Sequence, residues 1–408
     1  MFAPLGFFTQ YGGGEIYIRT TVDEIINHQR DLFLDLFVIS MSNHEEIQKY
    51  KGIKVFNVCN TNQIETILKE EKPDIVHAHG RFEQIIPTCR QLGIKSVVTM
   101  HDCMYICPNY TYLDYNGHLC EKKMSVDNCL RCYLKRIKGG FIAWHFLKLI
   151  PTDKYVRLGK WLDKRPFMFF ITPFGQAAVR INEKKAYWVE KICSADCVIQ
   201  LSNRMAKMAY MNGLAKEKLS ILPNGVFKNE LPVVLPHEKN TIDFFYIGRI
   251  CYSKGVHVLL KAFHSINDSN CMLHIIGSTD NEFARTIKKR YHRDSRIIWH
   301  NQIPHSDIYN QIKNYNTLIH PSTGNESYSL AVAEALAAGK YVIATRCGGP
   351  EDQIVEGVNG KLVEPNNVEA LRSAIQSYID NPIAPKEIRY VSIEEHVSNL
   401  VKIYKSLG

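Results

Sequence analysis

In the second half of the chain, apolar stretches rich in β-branched and aromatic residues alternate with segments whose apolar residues recur at helical spacing. The apolar stretches predict strands at 242–248, 271–277, 296–300, 316–320 and 341–345. The segments between them predict helices at 255–266, 281–292, 305–315 and 328–338. Strands that alternate with helices form a parallel sheet covered on both faces, so this half is predicted to be a doubly wound α/β domain.

The first half repeats this alternation and then interrupts it. Its pattern predicts strands at 32–39, 74–79, 95–100, 196–201 and 218–222, and helices at 15–28, 61–70, 83–92 and 203–212. The interruption is an insertion, residues 103–191, which is rich first in Cys and then in aromatic and basic residues. A Pro-containing stretch without periodicity, 226–240, is predicted to be an interdomain linker.

These boundaries predict two Rossmann-like domains, an N-terminal one at 1–225 that contains the insertion and a C-terminal one at 241–390. In doubly wound sheets, ligands bind beyond the carboxyl ends of the strands. We therefore expect a ligand in a cleft between the two domains.

The composition predicts a soluble globular protein, because 45% of the 408 residues are hydrophobic and 22% are charged. No apolar run reaches the roughly 18 residues of a membrane span, and the N-terminus has no export-signal pattern, so a cytoplasmic location is expected. The net charge of +9 is uneven. Residues 131–191 hold 14 Lys and Arg against four acidic residues, a net +10, together with 12 aromatic residues. This surface predicts an anionic partner, which could be a membrane, a phospholipid-linked substrate or nucleic acid.

Two cations stand at a predicted strand-to-helix turn. Arg249 directly follows a strand, and Lys254 opens the next helix. An Arg can contact phosphate oxygens with two N–H groups, a Lys acts as a point charge, and a helix N-terminus adds backbone donors. The pair suits a diphosphate, although an ordinary solvated turn would also explain it.

Two acidic residues, Glu326 and Glu334, lie eight positions apart around the start of a predicted apolar helix. Glu334 falls inside that helix, where an unpaired carboxylate is costly, and ribose hydroxyls would satisfy it. Glu326 falls at or before the helix start, where free N–H groups can meet phosphate. A solvated pair on an exposed helix is the alternative, but the Ala, Leu and Val neighbours oppose it.

These residues resemble glycosyltransferase family 4, whose retaining enzymes have the GT-B fold and an E-x7-E signature. Glu326 and Glu334 match that signature, and Arg249 and Lys254 match the phosphate-binding pair. Further matching blocks are Pro223-Asn224-Gly225-Val226, His320-Pro321-Ser322, Ala344-Thr345, Gly348-Gly349-Pro350 and Gly357 to Val363, with looser matches at Pro4, Gly12 to Glu15, Asp74 to His79 and His101-Asp102.

The resemblance implies a role for each matched residue. Glu334 would hold the ribose, and Glu326 the hydroxyls of the transferred sugar. Arg249 and Lys254 would neutralise the diphosphate, with Ser329 and Leu330 contributing to donor binding at the helix start. In the N-terminal domain, Gly12, Gly13 and Gly14 would let a loop approach the diphosphate, and His101 would sit beside the reacting carbon.

The resemblance also carries expectations about the ends of the chain. A C-terminal helix within 391–408 would pack back on the N-terminal domain. A full first strand would precede the Gly-rich loop, whereas Met1 stands almost at that loop. Either the strand is missing or the true start lies upstream.

Five cysteines fall within 30 residues of the insertion, and Cys129 and Cys132 have the spacing of a zinc knuckle. Cys107 and Cys120 could complete a structural four-thiolate zinc site, with His118 as another possible ligand. Reduced buried thiols or a disulfide are the alternatives. No cofactor or metal is expected in catalysis, since no Asp-x-Asp motif is present.

The expected reaction is retaining transfer of a sugar from a nucleotide diphosphate sugar, a UDP-sugar being favoured by the family, to an acceptor hydroxyl. The acceptor is expected to be a lipid-linked saccharide or oligosaccharide in bacterial surface-polysaccharide synthesis, reached at the inner face of the membrane. The alternatives are a GT-B-type nucleotide-sugar epimerase and a protein that binds nucleic acid through 131–191. The latter leaves both charged pairs unused, so no nucleic-acid partner is expected.

Overall fold

The computed structural model describes every residue except 5, 9–12, 29–34, 136, 138, 164–171, 228–240 and 388. Side chains are also left undescribed at 141, 143, 162–163 and 172–174. The chain forms two compact units. The first comprises Met1–Leu222 and Val397–Gly408, and the second comprises Pro223–His396. Most of the predicted linker lies outside the described residues.

The first unit is built on an eight-stranded sheet whose strand order is β3-β4-β2-β1-β5-β6-β7-β8. The strands are β1 Phe2–Ala3, β2 Phe37–Met41, β3 Glu46–Tyr50, β4 Ile53–Val58, β5 Ile75–Ala78, β6 Lys95–Met100, β7 Cys197–Gln200 and β8 Leu219–Ile221. All neighbours pair in parallel except β3, which runs antiparallel to β4 at the edge. The first strand has only two residues, but it occupies the switch point between β2 and β5.

Helices cover this sheet and form the insertion. They are α1 Gly13–Asn27, α2 Asn62–Glu71, α3 Phe82–Leu92, α4 Val126–Leu134, α5 Gly140–Leu147, α6 Thr152–Asp163, α7 Thr172–Tyr187 and α8 Asn203–Met211. Helices α4, α6 and α7 enclose a small core of their own that includes Leu134, Tyr155 and Ile181. Gly159 of α6 lies so near Gly175 of α7 that an added Cβ would meet its carbonyl oxygen at 2.1 Å. The insertion is therefore a packed helical subdomain.

The second unit has a six-stranded, all-parallel sheet in the order β11-β10-β9-β12-β13-β14. Its strands are β9 Ile242–Ile247, β10 Cys271–Ile276, β11 Ile297–His300, β12 Thr317–His320, β13 Tyr341–Thr345 and β14 Gly360–Val363. Its helices are α9 Val256–His264, α10 Glu282–Arg290, α11 Ile308–Ile312, α12 Leu330–Ala337, α13 Gly349–Gln353 and α14 Val368–Asp380. Apolar cores pack on both faces of the sheet. The predicted class, two doubly wound α/β domains, is confirmed.

The last helix, α15 (Ile393–Lys405), ends within the first unit. Leu400 is buried against Val97, Ile199 and Leu222. The Tyr404 hydroxyl lies 2.6 Å from Nδ1 of His77 on β5. The final turns of the chain therefore complete one side of the first unit's core.

Strands β1, β3, β4 and β14, the insertion helices α4 to α7, and helices α13 and α14 were not predicted. Strand β3 was missed because its sequence is mostly polar, and most of its side chains are exposed at the sheet edge. Of the predicted strand at 32–39, residues 32–34 lie outside the described residues, and the observed strand is Phe37–Met41. Among the helices that the structure describes, none is both long and apolar enough to cross a bilayer.

Candidate functional site

The strand order of the second unit reverses between β9 and β12, and the sequence places its charged motifs in the loops after these two strands. Doubly wound sheets bind ligands at such a switch point. Backbone hydrogen bonds join the two loops, since Thr323 N–H and Gly324 N–H both donate to the Ser253 carbonyl at 2.8 and 3.1 Å. Gly255 takes φ +69°, and an added Cβ would lie 1.8 Å from the Pro321 carbonyl oxygen. Only glycine permits this approach.

The joined loops place Lys254 against Glu326. The ammonium donates to Glu326 Oε1 at 2.7 Å, and the Ser322 hydroxyl donates to the same oxygen at 2.5 Å. Burial alone would raise the pKa of Glu326, but the charge and hydrogen bond of Lys254 hold it below its ordinary value. Neighbouring His320 stays neutral, because burial lowers its pKa to about 4. In this arrangement, the predicted phosphate cation and the predicted sugar-binding carboxylate neutralise each other.

Arg249 is arranged differently from Lys254. Its backbone carbonyl accepts a hydrogen bond from the Tyr246 hydroxyl at 2.6 Å, which fixes the loop after β9. Its side chain is exposed. Within the described part of the chain, its guanidinium has no ion-pair or hydrogen-bond partner. A cation held on a fixed loop at a sheet switch point is available to bind an anionic ligand.

Glu334 lies within α12, as predicted, and its side chain is buried. Its partner is His305, whose Nε2 lies 2.6 Å from Glu334 Oε1. Ser329 caps the helix by accepting from Val332 N–H, so Leu330 is the first helical residue. Glu326 lies before this cap, with its backbone bridged to Gly348. The two acidic residues therefore stand on separate elements.

In the first unit, the first turn of α1 faces His101, which directly follows β6. A Cβ added at Gly14 would lie 3.6 Å from His101 Cγ, an ordinary contact. His101 Nε2 lies 3.0 Å from Nδ1 of His79, which follows β5, and Tyr17 contacts both rings edge-on. Gly13 begins α1, and Gly12 lies outside the described residues. The structure thus groups Gly14 and His101 at the carboxyl edge of the first sheet.

The four cysteines of the predicted zinc site are free thiols. Burial raises the pKa of Cys129 to about 12 and that of Cys132 to about 11, and both are raised further by Cys107 and Cys120. The His118 side chain is largely exposed beside Asp114. Across the described residues, no group of three or more His, Cys, Asp or Glu side chains is arranged to hold a metal ion. The zinc site stays a prediction.

The aromatic residues of the insertion divide into a buried and an exposed set. Trp188 is fully buried in the core of the first unit, and its Nε1–H donates to the Asn212 carbonyl at 3.1 Å. Trp144 is partly buried, whereas Trp161 is exposed. The predicted basic and aromatic surface of residues 131–191 therefore does not include Trp188, because its ring fills the core between the sheet and the insertion.

Residues 227–394 match the family described as glycosyl transferases group 1. This match covers about two fifths of the chain. It is 27% identical over 200 residues to the lipopolysaccharide 1,6-galactosyltransferase of Escherichia coli K12, which covers 48% of this chain and 55% of the relative. It is 28% identical over 211 residues to the lipopolysaccharide 1,2-N-acetylglucosaminetransferase of Salmonella typhimurium, covering 47% and 54%. The matches therefore span about half of these relatives.

Solved structures of glycosyltransferases resemble the whole chain. Anabaena HepE in complex with UDP and glucose has a TM-score of 0.64 at 14% identity, covering 99% of each chain. A glycosyltransferase from Rickettsia africae has a TM-score of 0.66 at 17% identity, covering 100% of this chain and 97% of the other. At these identities the likeness shows the fold, which is GT-B.

Sequence reasoning missed His305, Ser322 and His79 as members of these clusters. His305 and His79 lie far along the chain from the groups they contact, whereas Ser322 lies four residues before Glu326. For His305 the separation from Glu334 is 29 residues. One usable signal was the buried carboxylate itself, because a carboxylate inside an apolar helix requires a partner.

Proposed function

We propose that this glycosyltransferase moves a sugar from a nucleotide diphosphate sugar, with a UDP-sugar favoured, to an acceptor hydroxyl with retention at the anomeric carbon. The observation that carries the proposal is the cluster at the β9/β12 switch point. There, Arg249 offers an exposed cation, and Lys254 pairs with Glu326 at 2.7 Å. A diphosphate would attract both cations and free the Glu326 carboxylate to accept hydroxyls of the sugar.

In the proposed reaction, the bond between the anomeric carbon and the diphosphate oxygen breaks, and a bond to the acceptor oxygen forms. The acceptor's proton passes to the departing diphosphate. Arg249, Lys254 and the N–H groups at the start of α12 stabilise the charge that develops on that leaving group. Leu330 begins this helix, and the Ser329 cap positions it. The roles of Gly13, Gly14 and His101, and the retention, rest on the family resemblance.

A screen of nucleotide sugars tests the donor. We expect one nucleoside diphosphate, UDP first, to raise the thermal midpoint of the protein and to inhibit donor hydrolysis. Release of nucleotide with transfer to an added acceptor supports the proposal. Conversion of the donor sugar to its epimer without an acceptor would overturn it in favour of an epimerase. No stabilisation by UDP, GDP or ADP would overturn the donor site.

The acceptor is proposed to be a lipid-linked saccharide of a bacterial surface polysaccharide, reached at the inner face of the membrane. Relatives named for lipopolysaccharide synthesis support the substrate class. The insertion supports the location. Helix α5 and the turn after it expose Ile142, Phe146 and Leu149 at 65, 67 and 76%, at a spacing that puts them on one side of the helix. Large apolar side chains so exposed mark an interaction surface.

Helix α6 adds basic residues to this surface. Lys154, Arg157, Leu158 and Trp161 are exposed and follow one another at helical spacing, so cations and apolar groups share a face. Lys148 lies in the turn between the two helices. Basic residues interleaved with apolar side chains bind the headgroup region of anionic bilayers. At about 1 kcal/mol per cation, Lys148, Lys154 and Arg157 together contribute roughly 3 kcal/mol, enough for reversible docking.

Co-sedimentation with vesicles tests the location. We expect binding to rise with the fraction of anionic lipid and to fall with salt, because the attraction is screened. Binding that depends on neither anionic lipid nor salt, or no binding to any vesicle, would contradict the proposed membrane location. Neither result would contradict the proposed donor chemistry.

A further inference from the structure

The partner of Glu334 has no part in the family resemblance. His305 opens a short 3-10 turn, His305–Asp307, that leads into α11, whereas Glu334 lies in the middle of α12. Their side-chain atoms Nε2 and Oε1 are 2.6 Å apart. The Glu334 side chain is 7% exposed and that of His305 is 29% exposed. The imidazole is therefore more exposed than the carboxylate that it contacts.

The contact uses only part of the carboxylate. It engages Oε1, and among the residues that the structure describes, Oε2 makes no hydrogen bond. A carboxylate offers about four acceptor positions on its two oxygens. After the contact with His305, Oε2 and one position on Oε1 remain for the two neighbouring hydroxyls of a ribose. A carboxylate held by one donor loses its freedom to rotate, which lowers the entropic cost of binding that diol.

We propose that His305 is a positioning residue for the donor nucleotide, which fixes the Glu334 carboxylate in the orientation that accepts the ribose hydroxyls. The inference rests on the proposed function, because it takes Glu334 as the ribose-binding group. Because the Glu334 carboxylate accepts, His305 donates through Nε2, and its backbone begins the turn that follows Pro304. Burial lowers the pKa of His305, but the hydrogen bond and charge of Glu334 outweigh burial and raise it above its ordinary value, which favours the donating form.

The test compares two probes, UDP and 2′,3′-dideoxy-UDP, by calorimetric titration. We expect His305→Ala to weaken UDP binding about tenfold, which corresponds to about 1.4 kcal/mol. The same substitution should change the binding of dideoxy-UDP by less than about twofold, because that probe lacks the hydroxyls that Glu334 binds. His305→Gln should restore most of the affinity for UDP, since its amide can donate to Oε1.

A matched control is available in the same unit. His264 also contacts a carboxylate, with its Nδ1 2.8 Å from Asp294 Oδ2, and Arg296 holds that carboxylate independently. We expect His264→Ala to leave the affinity for both probes unchanged. The thermal midpoint of each variant shows whether it is folded.

The outcomes separate the two proposals. Unchanged UDP affinity in His305→Ala, or equal losses for UDP and dideoxy-UDP, would overturn the positioning role while leaving the donor site intact. Failure of the wild-type protein to bind UDP, GDP or ADP would overturn the donor site and this role with it. Selective loss for UDP with rescue by His305→Gln supports both.

Discussion

Lys254, Glu326 and Glu334 of the second unit are held in side-chain pairs, whereas the basic residues of the insertion stand on exposed helices. Lys254 meets Glu326 at 2.7 Å, and His305 meets Glu334 at 2.6 Å. In the insertion, Lys154 and Arg157 are exposed on a helix together with apolar residues. Fixed pairs suit the recognition of one small ligand, because their geometry is set in advance. Exposed side chains suit an extended charged surface, where geometry matters less than total charge.

The largest expected effect lies in the predicted donor-binding residues of the second unit. We expect Lys254→Ala, Arg249→Ala and Glu334→Ala each to lower turnover of the nucleotide sugar about a hundredfold, because each removes a charge-assisted contact to the donor. The measurement is donor turnover under saturating acceptor. Normal turnover in all three variants would contradict the site.

The first two substitutions should differ in stability. Lys254→Ala leaves the Glu326 carboxylate without its cation, so we expect a loss of about 2 kcal/mol in unfolding free energy. Arg249→Ala should change stability by less than about 0.5 kcal/mol, since its guanidinium has no partner within the described residues. Urea unfolding of the two variants checks this difference. Equal losses of unfolding free energy would show that the Lys254–Glu326 pair does not stabilise the fold.

The next effect lies on the insertion surface. We expect Ile142→Ser to reduce partitioning onto anionic vesicles about tenfold, because a buried apolar side chain contributes roughly 1.5 kcal/mol or more at the interface. Ile47→Ser is the matched control, since Ile47 is 67% exposed on β3 and lies outside the insertion. Equal partitioning of both variants would show that α5 is not the contacting face.

The sequence predicted local elements better than contacts between residues that are distant along the chain. The alternating pattern predicted the parallel sheets and most of their strands, and the motifs placed Arg249, Lys254 and Glu334 on the correct turns and helix. The ion pair between Lys254 and Glu326 could not be predicted from the sequence pattern. The two residues are 72 positions apart and meet only because β9 and β12 are neighbours in the sheet. The edge strand β3 was missed because exposed polar residues carry no apolar alternation.

The amino-acid composition of the insertion did not predict which of its residues are exposed. The aromatic content of the insertion predicted a surface, yet Trp188 and Tyr155 are buried, since a helical subdomain needs a core before it can present a face. The spacing of the cysteines also did not decide whether they bind zinc. Cys129 and Cys132 lie one turn apart on α4, a geometry that metal sites and helix packing both permit.

A smaller effect on turnover is expected from substitution of the cysteines in the predicted zinc site. If Cys107, Cys120, Cys129 and Cys132 bind zinc, purified protein should hold about one equivalent by elemental analysis. Cys132→Ser should lose the metal, while Cys59→Ser, an exposed cysteine outside the cluster, should retain it. Turnover should change less than in the Lys254→Ala variant, because four thiolate ligands leave no position for substrate. Less than about a tenth of an equivalent in untreated wild-type protein would retire the site.

The smallest effect is a pH dependence of stability at His305. Its pKa is raised in the folded protein, because the hydrogen bond and charge of Glu334 outweigh burial. A group with a raised folded pKa contributes stability that is fully present below its unfolded pKa, about 6.5, and is lost as the pH rises through its folded pKa. His305→Gln keeps a neutral donor and removes this charge. We therefore expect the variant to be less stable than wild type by on the order of 1 kcal/mol at pH 5.5 and nearly equal to it at pH 9. Urea unfolding at the two pH values measures the difference, and a stability gap that stays constant between them would show that the charge of His305 does not act on Glu334.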